Sequence, residues 1–153
     1  MDQIKIAEHQ LRTANKPHPM IFVNDRSLSE YLSELLDDEW ISGLAPAITW
    51  LWEEHEVSAT ISRFTCEEIG STGVPLLICP DDCDLSCTVL MVEVEITENS
   101  VKWSRFGYDR TQSANANEIG TTIRWFRPEV SFEFSKEEYF STRDELVSLA
   151  NVY

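Results

Sequence analysis

The side chains best suited to chemistry sit in one short run, Cys79-Pro80-Asp81-Asp82-Cys83-Asp84-Leu85-Ser86-Cys87. Thiols and carboxylates this close could ligate a metal. The spacing, however, is C-x3-C-x3-C, whereas zinc knuckles favour C-x2-C pairs completed by a second pair or by histidines downstream. No histidine follows His55, so a fourth ligand would fall to Cys66 or to a carboxylate. Packing in a core or a turn is the simpler use of such cysteines. Asp82, Asp84, Ser86 and Glu93 also match positions one, three, five and twelve of a calcium loop. The glycine required at position six is replaced by Cys87, and the residues after it favour a strand, which argues against calcium. No resident metal and no cofactor are expected.

Catalytic patterns are equally sparse. The chain holds no H-E-x-x-H, no G-x-S-x-G, no glycine-rich phosphate loop and no C-G-x-C-W pattern. His9 and His18 fall in an N-terminal stretch read as unstructured. His55 lies between Glu54 and Glu56, but adjacent residues on a helix do not face one another. Asp81 and Asp82 could share acid–base work only in a sheltered cleft, and no basic clamp is present to build one. The expectation is a protein that is not an enzyme.

Charge carries more information. The 153 residues hold 27 acidic and 12 basic side chains, a formal net charge of −15. Such a balance speaks against docking on nucleic acid or on an anionic membrane. Residues 27–98 contain sixteen Asp and Glu against a single basic residue, Arg63, so this segment alone accounts for the whole excess. Solubility of a small domain needs a net charge of only about 2–8, and concentrating more costs self-repulsion. A positively charged partner would give that concentration a use. The five tryptophans, Trp40, Trp50, Trp52, Trp103 and Trp125, supply the other half of an interface, because buried aromatic anchors dominate binding energy. Trp50 falls about a third of a turn off the apolar stripe of its helix, and Trp103 shares a strand face with Arg105. These two are the expected anchors, and Glu53, Glu54, Glu56, Asp81, Asp82 and Asp84 the expected acidic docking residues.

The elements that must position these residues follow from periodicity. Ile4–Ala14 reads as a short helix ended by the Lys16-Pro17-His18-Pro19 break, and residues 1–20 as a loosely attached segment. Ile21–Val23 reads as a short strand or as a segment packing into the first firm helix. A helix opens at Ser27 with Glu30 in a capping-box arrangement, and Leu28, Tyr31, Leu32, Leu35 and Leu36 form its apolar face. A second helix from about Ala45 places Ile48, Leu51, Trp52 and His55 inward and Glu53, Glu54 and Glu56 in its last turn, where they oppose the helix dipole. Val57 to Thr65 alternates as a strand. Val74–Cys79 and Cys87–Ile96 flank the acidic turn. Thr97–Ser100 links the second of these strands to Val101–Tyr108 as a hairpin. A polar loop at Thr111–Gly120, strands at Thr121–Phe126 and Val130–Phe134, and a helix capped by Ser135 complete the chain. The expected fold is α+β in one domain, a mainly antiparallel sheet of five or six strands with N-terminal helices and a C-terminal helix. The first 20 residues lack the apolar stretch of a signal peptide, so a cytoplasmic location is expected.

Three stretches together carry a resemblance. Asp38-Glu39-Trp40-Ile41-Ser42-Gly43-Leu44 with Ala47-Ile48, the turn Pro80–Cys87, and the hairpin Met91–Ile96 with Val101–Gly107 resemble, in layout over residues 38–150, small bacterial immunity proteins of polymorphic toxin and contact-dependent growth inhibition systems. The resemblance implies a cytoplasmic, non-catalytic protein that binds one cognate toxin domain, often a nuclease with a basic cleft. Two other readings stay open: a metal- or ligand-binding sensor centred on Cys79, Cys83 and Cys87, and a non-catalytic adaptor subunit. The oligomeric state is left open.

Overall fold

The computed structural model describes residues 1–11, 15–111 and 113–150. The fold is α+β, as the periodicities imply, with antiparallel sheets of three and six strands. Strands β1 (Ile4–His9) and β2 (His18–Val23) pair in register from Ile4 opposite Val23 to His9 opposite His18, and β3 (Arg26–Ser27) joins the other edge of β2. Asn24 and Asp25 make the intervening two-residue turn, with φ of 53° and 63°. Asn and Asp tolerate this left-handed region better than other side chains, and it gives a hairpin the correct twist.

This sheet corrects the helix expected over Ile4–Ala14, whose residues 12–14 lie outside those described. Ile4 is buried and Lys5 exposed, so a period of two was available, and pairing with β2 outweighs local helix preference. The segment is also not loosely attached. Asp2 N donates to Glu133 O (2.8 Å), Ile4 N to Glu138 Oε1 (2.7 Å) and Thr142 Oγ1 to Ile4 O (3.2 Å). His9 and His18 are strand residues, not members of an unstructured tail.

Helix α1 (Leu28–Leu35) buries Leu28 and Leu32, while Leu35 is exposed. Ser27 precedes it but does not cap it. Its hydroxyl lies 3.3 Å from both His9 Nε2 and Ser29 Oγ. A 3-10 turn (Glu39–Gly43), started by Asp38 accepting from Trp40 N, leads to β4 (Ala45–Pro46) and the single-turn α2 (Ala47–Trp50).

Helix α3 spans Glu54–Phe64, which overturns two expectations. The strand over Val57–Thr65 is helical, because Val57, Thr60 and Phe64 also fit a period of 3.6 and are the residues buried. Glu54 and Glu56 lie in the first turn of a helix and Glu53 at its N-cap, not in a last turn. There they complement the positive end of the dipole, as Arg63 complements the other.

The large sheet runs β4-β5-β6-β7-β8, built from β5 (Gly70–Ile78), β6 (Val89–Ile96), β7 (Ser100–Asp109) and β8 (Ile123–Trp125). Strand β9 (Phe132–Ser135) pairs with the other end of β7. Pro75, which cannot donate to a ladder, sits at a register irregularity in β5. Along β6, Leu90, Val92 and Val94 face the main core with Trp103, Phe106, Phe134 and residues of the small sheet. Val89 and Met91 face a second cluster with Leu51, Val57 and Leu85. The sheet is thus covered on both sides at this end. Helix α4 (Lys136–Ser148) is capped by Ser135, whose hydroxyl accepts from Glu138 N (3.3 Å) as the sequence signature implies. Among the described residues no helix is long and apolar enough to cross a membrane.

Candidate functional site

The acidic turn connects β5 to β6, where Cys79 N still donates to Thr88 O (3.3 Å) before the chain leaves the ladder. Asp84 stabilises the turn locally, its Oδ1 accepting from Ser86 N (2.9 Å) and Ser86 Oγ (2.6 Å), a bond pattern Asp supplies readily. Cys83 has φ of 55° and turns its sulfur toward Pro80 O (3.4 Å), Trp50 and Trp52.

Four hydrogen bonds fasten this turn to the helical segment before it. Trp52 N donates to Cys83 O (3.2 Å), Leu85 N to Glu56 Oε2 (3.0 Å), Trp50 Nε1 to Pro80 O (2.9 Å) and Trp40 Nε1 to Thr88 Oγ1 (3.1 Å). Two acid-rich segments about thirty residues apart therefore become one surface. Glu53, Glu56 and Asp84 line a groove of about 420 Å³ with His55, Leu85 and Ser86. On the other side of the turn, Trp40, Leu44, Cys79, Pro80 and Asp81 line a smaller, apolar hollow of about 180 Å³. Glu53, Glu54, Asp81 and Asp82 are exposed.

Like charges crowd here. Burial foremost, then Asp84 and Glu53, push the Glu56 carboxyl above its ordinary range, against the lowering effect of the Leu85 N–H. Its Oε1 is buried and meets no donor among the described residues. Some acids elsewhere are paired: Glu34 with Arg26, Glu67 with Arg143 and Glu93 with Arg105. None of the six acids of the candidate face joins an ion pair with a described basic residue. Arg63, in the same acid-rich segment, donates to the carbonyls of Ala116 and Asn117 instead.

The expected anchors need correction. Trp103 is fully buried, donates to Tyr139 Oη (3.2 Å) and packs edge-on against Phe106 and Phe134, so it belongs to the core. Trp50 is partly buried with its ring edge against His18 (4.9 Å between centroids), and it holds the turn from beneath. The tryptophans that reach solvent beside the acids are Trp40 and Trp52, 58% and 61% exposed. Their sequence neighbours, Glu39 on one side and Glu53-Glu54 on the other, were the available signal. Extending one helix phase from Ala45 through Glu56 hid it, because the helix breaks at Leu51 and restarts at Glu54.

The cysteines also group differently from their spacing. The ligand atoms of Cys79, Asp82 and Cys87 lie within 4.8 Å of one another, and Cys83 is not among them. Desolvation first, then hydrogen bonding with Asp82, holds the Cys87 thiol above its ordinary pKa. No protein-family model, no curated protein and no solved structure matches the chain.

Proposed function

We propose that this chain is a cytoplasmic immunity protein that binds and neutralises a cognate toxin domain with a basic surface, most simply a nuclease, without catalysing a reaction. The observation that supports this reading is the convergence of Glu53, Glu54, Glu56, Asp81, Asp82 and Asp84 around two exposed tryptophans, with no ion-pair partner for these acids among the described residues. A cleft built to hold phosphate presents Lys and Arg, and this face offers the complementary potential. Unpaired carboxylates at the rim steer encounter and set the salt dependence of association. Trp40 and Trp52, taking the place first assigned to Trp50 and Trp103, supply desolvated contact area that slows dissociation.

The test is association kinetics with the protein encoded by the neighbouring gene. Replacing Asp81, Asp82 and Asp84 together by Asn should slow association several-fold at low salt and leave a smaller effect at high salt. Trp52→Ala should chiefly raise the dissociation rate. Failure of the pair to associate, or association rates identical in the triple variant at every ionic strength, would reject the proposal.

A further inference from the structure

Cys79 and Cys87 flank the acidic turn, and Asp82 lies within it. Cys79 ends the paired part of β5 and is buried; Cys87 approaches from the β6 side and is exposed. The turn closes so that both sulfurs and the Asp82 carboxylate gather within 4.8 Å. Cys83, the middle cysteine of the sequence pattern, is held away by Pro80, Trp50 and Trp52. The C-x3-C-x3-C spacing is therefore not the ligand set; the fold substitutes a carboxylate for the central thiol.

We propose that Cys79, Asp82 and Cys87 form a zinc site with two thiolates, one carboxylate and a fourth position left to water. Two sulfurs select a soft or borderline ion over magnesium or calcium, and tetrahedral zinc accepts a mixture of sulfur and oxygen ligands. Zinc–sulfur bonds of about 2.3 Å and zinc–oxygen bonds of about 2.0 Å place two sulfurs roughly 3.8 Å apart and sulfur and oxygen roughly 3.5 Å apart in a tetrahedron, so ligand atoms within 4.8 Å have to close by at most about 1.3 Å. The backbone that must move is an exposed turn. The residues behind it are fixed by the Trp40–Thr88 and Trp50–Pro80 bonds, which gives the site outer support of the kind that orients metal ligands.

The charge balance is definite. Zinc enters as Zn²⁺ and two thiol protons leave to solvent, one from Cys79 and one from Cys87. The two positive charges that enter equal the two that leave, so the site's net charge does not change. Metal binding thus stiffens the turn that presents Asp81 and Asp84 without diluting its negative potential. The inference stands independently of the toxin-binding reading, since it concerns ligands inside the turn and not a protein partner.

The experiment is titration of the full, reduced, metal-free chain with Co²⁺, followed by displacement with Zn²⁺. One equivalent of Co²⁺ should produce the intense visible bands of a four-coordinate cobalt–thiolate centre, and one equivalent of Zn²⁺ should remove them. Cys87→Ser, at an exposed position that leaves the fold intact by circular dichroism, should abolish the bands. Asp82→Asn should weaken zinc binding by at least about tenfold, the lower end of what even an outer-shell partner contributes. Cys83→Ser should bind as the parent does. Absence of thiolate bands in the reduced parent, their persistence in Cys87→Ser, or their loss in Cys83→Ser would each overturn the site.

Discussion

Two regions of this molecule combine acids with tryptophan and treat them in opposite ways. On the β6–β7 hairpin, Glu93 pairs with Arg105 at 2.7 Å, and the Arg105 guanidinium lies over the Trp125 ring at 4.0 Å. Trp103 in the same hairpin is sealed in the core with its N–H satisfied by Tyr139. Around the Pro80–Cys87 turn the carboxylates have no such arginine among the described residues, and Trp40 and Trp52 face solvent. The difference teaches which charges the fold consumes for itself. The hairpin carries Lys102 and Arg105 among its acids, whereas Pro80–Cys87 carries no basic residue.

The sharpest way to break this contrast is to truncate one tryptophan from each region. Trp103→Ala should cost about 3–5 kcal/mol of stability, as large core truncations do. Trp52→Ala should cost less than about 1 kcal/mol, because its side chain is mostly hydrated already. Urea denaturation of both variants measures the gap, and equal losses would erase the distinction between core and face.

The acids give a smaller effect of the same sense. Arg105→Ala should destabilise by about 1–2 kcal/mol, since it removes a partly screened ion pair and a cation–π contact. Converting Asp81, Asp82 and Asp84 to Asn should leave stability unchanged or raise it at low salt, because repulsion is lost while an amide oxygen at position 84 can still accept from Ser86. Thermal melts at two ionic strengths decide this, and a destabilised Asn variant would show that these charges serve the fold.

The smallest effect is in pH dependence. Glu56 keeps its proton more readily when folded than when unfolded, so the folded state binds the extra proton as pH rises past about 4.5, and stability declines through that window. Glu56→Gln keeps an acceptor for Leu85 N–H and removes this contribution. The variant should gain on the parent as pH increases from 4 to 7, and parallel stability profiles would contradict the burial of the Glu56 carboxyl beside Asp84 and Glu53. His18 works at the other end: burial lowers its pKa, the unfolded chain takes up the proton first, and stability falls as pH drops below about 6.5.

Legibility in the sequence followed how many constraints each segment met at once. The β6–β7 hairpin and α4 could be read because apolar alternation, a short turn and a capping serine all agreed with the tertiary structure. Helix α3 could not, since Val57-Ser58-Ala59-Thr60-Ile61 satisfies both periods and burial alone decides. Strand β1 required knowledge of its partner β2, a long-range fact. At the site, the acids were legible because charge depends on composition, whereas solvent access for each tryptophan depends on where α2 stops. Ligand proximity was hidden for a related reason: the positive φ of Cys83 rotates its thiol away while Asp82 comes in.

The tie between β1 and α4 carries a consequence for assembly. Ile4 N and Glu138 Oε1 are 134 residues apart in the chain, while Thr97 and Ser100 close the β6–β7 turn across three. Joined directly from an open chain, the longer span forfeits about 3 kcal/mol more conformational entropy than the turn. The route that avoids this loss forms the hairpins of the large sheet first, lets them shorten the gap, and brings the opening strand against the closing helix last.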